Sequence, residues 1–219
     1  MNLDTKCINV LMTDSPFNNK KNKQEIADRM FESFKVKSFA LMNTAVLSLF
    51  STGKTCGLVA ECGEGISYTV PVFEGYALPH AMHFIPVAGK DVTDKLLKEL
   101  GLSGKYSQYV RDMKEQMCHV ALDFDDEYRT NDDPLSYEQR QYELPDNRVI
   151  EVDGKKKMHP DTRVIEVDHR KRIRAAELLF NPENSNLEFR LEDLPHSSYP
   201  EFKGNMRGGI AKLAFESIK

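Results

Sequence analysis

The fourteen residues Tyr68-Thr69-Val70-Pro71-Val72-Phe73-Glu74-Gly75-Tyr76-Ala77-Leu78-Pro79-His80-Ala81 decide the fold. Their first part, taken with Ser67, reads as a strand over Ser67–Val72. The β-rich run Thr55-Cys56-Gly57-Leu58-Val59-Ala60-Glu61 comes before it and reads as a buried strand. Between them the turn Cys62-Gly63-Glu64-Gly65 makes the pair a hairpin. Farther upstream, Cys7–Met12 is a strand candidate ended by Thr13-Asp14-Ser15-Pro16. From Asn22 the period becomes helical, with Ile26, Met30 and Phe34 four apart. Ser38–Leu41 is a short strand candidate. Asn43 or Thr44 could cap a helix over Ala45–Phe50, closed by Gly53. Strand and helix alternate and then give way to a hairpin. That pattern is α/β.

Downstream, Asp91-Val92-Thr93-Asp94 opens an expected helix carrying Leu96, Leu97 and Leu100, ended by Gly101. A second helix is expected over Tyr106–Cys118, with Tyr109, Met113 and Met117 as its stripe. The acidic stretch Asp123–Asp133 reads as loop. Residues 145–157 recur as 160–172, each copy reading as turn, four-residue strand, turn and basic edge. Two copies fall short of a solenoid. The repeat is either a local duplication adding a strand or loop, or a basic surface for an acidic partner. Asn181–Gly204 reads as mostly loop. A helix begins at Gly209, with Ile210, Leu213, Ala214 and Ile218 on one side.

Bulk properties exclude several classes. The chain has 219 residues, 40% hydrophobic and 29% charged, with net charge −4. These values are ordinary for a globular protein and lack a nucleic-acid footprint. The longest apolar run, Phe39–Phe50, is interrupted by Asn43, Thr44 and Ser48 and falls short of the roughly 20 residues that span a bilayer. The N-terminus lacks the apolar core of a secretory signal. Cys7, Cys56, Cys62 and Cys118 show no CxxC pairing, which points to a reducing cytosol.

Several segments, in order, resemble actin. They are Val10–Asn18, Met30–Val36, Ala45–Phe50, Tyr68–Ala81, Ala88–Asp94, Val110–Glu115 and Val120–Phe124. The resemblance runs from about residue 10 to 180 and more weakly to the C-terminus. It implies a partial actin-like fold of the actin/hexokinase/heat-shock ATPase type. Residues 1–53 would then be a piece of subdomain 1, and 54–87 the start of subdomain 3. Residues 88–207 would be subdomain 4 with the repeat inside it, and 208–219 a helix returning to subdomain 3. Actins hold ATP between two lobes with two phosphate loops and a glycine-rich adenosine motif. By resemblance, this chain starts after the first loop and stops before the adenosine motif. Gly208-Gly209 belongs with the helix that precedes that motif.

The second phosphate loop matches Glu61-Cys62-Gly63-Glu64-Gly65. Two glycines would let backbone N–H groups approach phosphate oxygens. Alone, such a hairpin is an ordinary β-turn. Actins have Asp-Ser-Gly-Asp-Gly there, and the first Asp holds the magnesium-bound waters. Both acids here are Glu, one methylene longer, although magnesium demands near-ideal octahedral geometry. Actins also place Gln where this chain has Thr44, and His where it has Tyr68. The Gln orients the attacking water, and phosphoryl transfer depends on positioning and electrostatics, so losing both groups implies lost hydrolysis. Lys114 and Glu115 match the pair that flanks adenine and ribose, though by themselves they read as a solvated helix face.

The expected nucleotide contacts are therefore Glu61, Gly63, Glu64, Gly65, Lys114 and Glu115, with ATP or ADP and magnesium as the implied cofactor. No catalytic residue and no protein metal ligand is expected. His80 and His83 lie three apart but between Pro79 and Pro86, which favours a structural role. Cys56 and Cys62 could approach across a hairpin, one buried and one in a turn, without a redox role. The resemblance implies a non-enzymatic, cytoplasmic, cytoskeletal protein whose partners are actin filaments or actin-binding proteins, with neither nucleic acid nor membrane. The rival expectations are a nucleotide-binding regulator that does not hydrolyse ATP, and a truncated product without stable function.

Overall fold

A computed structural model of the chain describes residues 4–130, 140–143, 164–182 and 208–219. The first unit is a parallel pair, β1 (Asn9–Asp14) and β2 (Ser38–Asn43), joined by helix α1 (Lys20–Asp28) and a π turn over Arg29–Ser33. Asn19 caps α1, its side chain accepting from Asn22 N–H at 2.8 Å. The expected apolar stripe is only half covered. Ile26 and Met30 are partly buried, whereas Phe34 is 57% exposed. The π turn inserts a residue into the helical count and rotates Phe34 off the face.

Helix α2 (Thr44–Ser51) follows at once, and Asn43 is its cap, accepting from Ala45 N–H at 2.9 Å. It lies on a four-stranded antiparallel sheet with β4 (Ser67–Phe73) at its centre. β3 (Gly57–Cys62) flanks β4 on one side. β5 (Tyr76–Ala77) and β6 (His83–Ile85) share the other side end to end. Pro71 falls in the gap between them, where a ladder bond is not required. β3 is not the buried strand expected from its apolar run. Leu58, Val59 and Glu61 are half-buried, while Gly57, Ala60 and Cys62 are exposed. Paired only with β4 among the described residues, it is an edge strand, and edges stay partly wet.

Alternation along β4 divides its side chains between two layers. Val70 and Val72 form a core with Ala45, Val46 and Leu49 of α2. Ser67 and Thr69 point the other way, toward α7 (Gly209–Ile218), where the hydroxyls of Thr69 and Ser217 meet at 2.7 Å. Of the expected side of α7, Leu213 is buried and Ile210 and Ala214 are half-buried, but Ile218 is 72% exposed, and Gly209 and Ser217 complete the buried face. Facing a hydroxyl-bearing sheet, the helix presents its own hydroxyl there, because a buried Thr needs a hydrogen-bond partner.

The larger core joins β6 to a helical layer: α3 (Gly89–Glu99), α4 (Ser107–Met117) and α6 (His169–Ala176). Leu96, Val110 and Met113 are fully buried in it. Of the expected Tyr109 stripe, Met113 and Met117 are buried and Tyr109 packs at the margin. The two-stranded sheet of β7 (Arg140–Glu143) and β8 (Val164–Val167) lies beside α4. Tyr142 of β7 donates to Asp112 of α4 at 2.5 Å. Burial and that carboxylate push the Tyr142 phenol up to about 12.

Two expectations fail downstream. Within the acidic stretch, Phe124–Thr130 is not loop but forms α5, whose first turn holds Asp125, Asp126 and Glu127, where the helix dipole favours anions; residues 131–133 lie outside the described residues. In the second repeat copy, β8 coincides with the expected strand, but the basic edge is the first turn of α6, capped by Asp168. Arg172 in that turn is buried, not solvated, and reaches His169. The first copy, residues 145–157, and residues 183–204 of the expected loop lie outside the described residues.

Cysteine chemistry is likewise corrected. Cys56 and Cys62 are both exposed. They are six residues apart along one extended segment, about 20 Å at strand rise, so they do not approach across a hairpin. Cys118 is half-buried, and desolvation pushes its thiol up to about 11 despite the nearby charges of Arg172 and Lys114. At pH 8 its thiolate fraction is then about one in a thousand. Iodoacetamide labelling followed by mass spectrometry is expected to modify Cys7, Cys56 and Cys62 first and Cys118 last. Equal rates for Cys118 and Cys56 would contradict this burial.

A candidate phosphate hairpin and its surroundings

The β3–β4 hairpin docks by its tip on the start of α3. Gly89 N–H donates to the Gly63 carbonyl at 2.9 Å, and Lys90 N–H donates to the Glu64 carbonyl at 2.8 Å. Two of the N–H groups at a helix start, which have no intrahelical partner, are thereby satisfied. Asp91 reaches back to Ala88 N–H at 2.8 Å and satisfies a third donor. Burial, the larger influence, raises the Asp91 carboxyl above its ordinary value.

Gly89 is where three elements converge. A Cβ there would stand 3.1 Å from the Gly63 carbonyl, 3.3 Å from Lys114 Nζ and 3.4 Å from Glu64 Oε2. Lys114 donates to the Gly89 carbonyl at 3.0 Å. Arg111 lies between the two acids, 3.8 Å from Glu64 and 3.2 Å from Glu115. Both contacts are more than half exposed, so each contributes at most about 1 kcal/mol. Gly63, Glu64, Lys114 and Glu115, expected from sequence as one set, are therefore brought together. Gly89 and Arg111 were missed as members. The i,i+4 spacing of Arg111 and Glu115 was the only local sign of the second.

Glu61 is held elsewhere. Ser48 of α2 donates to its Oε1 at 2.7 Å, and the Tyr68 hydroxyl donates to its Oε2. Thr44 donates to the Asp14 carbonyl at 2.8 Å. The glycines of the hairpin are not needed for its turn. Neither Gly63 nor Gly65 has positive φ, and a Cβ on Gly65 would meet nothing within 4 Å. The space beside Gly65 is open.

A cavity of about 350 Å³ opens at the carboxyl ends of β1 and β2, and no hairpin residue lines it. Its polar wall is Asp14, Ser15, Lys23 and Asn43, and its apolar wall includes Phe31 and Phe39. Asp14 is buried and held by Lys23 at 3.2 Å and Asn18 at 2.6 Å. Phe17, on the loop after β1, packs edge-on to Tyr68 and against Phe84, joining this unit to the sheet. His80 and His83 sit on a short 3-10 turn and on β6.

The parallel pair, the central sheet and its helical layer define an α/β protein whose β3–β4 hairpin is seated on a helix start. The chain belongs to the actin family: the actin family model matches residues 1–106 and 103–219. The fold is accordingly actin-type α/β. Among the described residues, no helix is long and apolar enough to cross a membrane.

Proposed function

We propose that the chain is an actin-like cytoskeletal protein of the cytoplasm that does not hydrolyse ATP. The supporting observation is the state of Glu61. Both its carboxylate oxygens are engaged by hydroxyls, from Ser48 and Tyr68. In actins the matching acid holds magnesium-bound waters, so this one would have to give up two hydrogen bonds to do so. Thr44, at the water-positioning place, is tied back to Asp14. What the family implies as partners, actin filaments or actin-binding proteins, goes with this reading.

A second reading, a regulator that binds nucleotide without cleaving it, is favoured by the convergence of Glu64, Lys114 and Glu115 around Gly89. The two readings differ in one measurement on the purified chain. Ligand at a hundred times its Kd adds about 2.7 kcal/mol of stability, or about 5–11 °C in Tm for a chain of this size. Millimolar ATP with magnesium is expected to leave Tm within about 1 °C and to yield no phosphate. A rise of several degrees without phosphate release replaces the first reading by the second. Phosphate release at a catalytic rate refutes both. The cytoskeletal part is tested by co-sedimentation with actin filaments, and a folded chain that stays in the supernatant sinks it.

A further inference from the structure

We propose that His119, Glu127 and His169 form a site for a zinc-class divalent ion, which ties the end of α4 to α5 and α6. One ligand atom from each residue lies within 4.8 Å of the other two. His169 Nε2 is 3.7 Å from Glu127 Oε2, and the two imidazoles lie 5.1 Å apart between centroids, tilted by 47°. In tetrahedral zinc with bonds of about 2.0–2.1 Å, neighbouring ligand atoms stand about 3.4 Å apart. The widest gap therefore closes by about 1.4 Å at most. His119 is exposed and lies beyond the last turn of α4, so it has room to make that movement.

The donor set selects the ion. Two imidazoles and one carboxylate suit zinc, whereas magnesium takes oxygen ligands and keeps its waters. This is not the chemistry of the phosphate hairpin, and the site shares no residue with it. Glu127 is already oriented: its other oxygen, Oε1, accepts from Leu122 N–H at 2.9 Å. Ligating carboxylates are usually fixed by such outer hydrogen bonds. Three protein ligands leave a fourth position for water or a ligand atom from a partner.

Arg172 opposes the ion. Its Nη2 is 3.3 Å from His169 Nδ1. A guanidinium only donates, so Nδ1 accepts and the neutral ring carries its proton on Nε2, facing Glu127. Metal on Nε2 requires the other tautomer, with Nδ1–H turned toward Arg172. Arg172 must then swing away. Ion and guanidinium compete for one imidazole, which makes the site switchable rather than permanently filled.

The test uses the full chain after chelator treatment, titrated with zinc by calorimetry and with cobalt by visible spectroscopy. Expected are one ion per chain, a tetrahedral cobalt spectrum and a Tm raised by zinc but not by magnesium. His119→Gln alters an exposed side chain and leaves the fold in place, yet should weaken zinc binding about tenfold or more. Glu127→Gln should do the same. Arg172→Gln offers an acceptor to Nδ1–H and should tighten binding about tenfold. Absence of binding, or unchanged affinity in His119→Gln, overturns the site. Unchanged or weaker zinc binding in Arg172→Gln overturns the competition with Arg172.

Discussion

Gly209→Ala is expected to unseat helix α7 and to destabilise the chain by about 3 kcal/mol or more, the strongest effect among conservative glycine changes. The new Cβ would sit 2.1 Å from the Leu179 carbonyl oxygen and 2.6 Å from that of Phe180. Both obstacles are backbone, in the turn after α6, and neither can rotate aside. Residue 209 also holds φ at +50°, which costs an alanine a further ~1 kcal/mol. Relief requires α7 to withdraw, and that breaks the Thr69–Ser217 contact and uncovers Leu213. Gly208→Ala is the control. Its φ is +77°, but its nearest neighbour, Lys212 Cβ at 3.0 Å, is a tight contact rather than an overlap. That variant should cost only about 1 kcal/mol. Urea denaturation compares the two, and equal midpoints would show that α7 is not seated as described.

Leu96→Ala should cost about 2–5 kcal/mol, or roughly 4–20 °C in Tm. Leu96 is fully buried on α3, inside the cluster that holds Val110 and Met113 of α4 and Ala175 of α6. Removing three carbons there leaves a void that two packed helices cannot collapse into without shifting, so the cavity penalty adds to the transfer term. Leu122→Ala, at a fully exposed leucine, should be neutral within about 0.5 kcal/mol. A Leu96→Ala variant as stable as the parent would mean that α3 does not pack on α4.

Local pattern was enough for much of the fold. The α2 helix, its Asn43 cap, the β3–β4 hairpin and the α3–α4 pair all carry their signals within ten or so residues. What failed, α5 apart, was decided at a distance. α5 looked like loop because its charges and lack of period hide a helix whose first turn is stabilised by the dipole. β3 looked buried because an apolar run does not say that, among the described residues, only one neighbour pairs with it. Ser217 was missed on the α7 face because it is an inward residue only when Thr69 lies opposite. The candidate site divides similarly. Glu64, Lys114 and Glu115 were legible through resemblance, and their meeting point at Gly89 is tertiary. The Ser48 and Tyr68 hydroxyls on Glu61 join three elements and leave no mark in sequence. His119 and His169 lie fifty residues apart, and only the placement of α5 and α6 brings them together.

The hydroxyl pair between Thr69 and Ser217 spans 148 positions of the chain. On a ribosome adding about 5–20 residues each second, the strand bearing Thr69 is finished about 7–30 s before its partner is made. During that interval one side of the central sheet, polar hydroxyls included, has no covering helix. The amino-terminal half therefore emerges as a waiting intermediate. Its completion waits for α7, and the quality-control machinery of the cell meets that bare surface first.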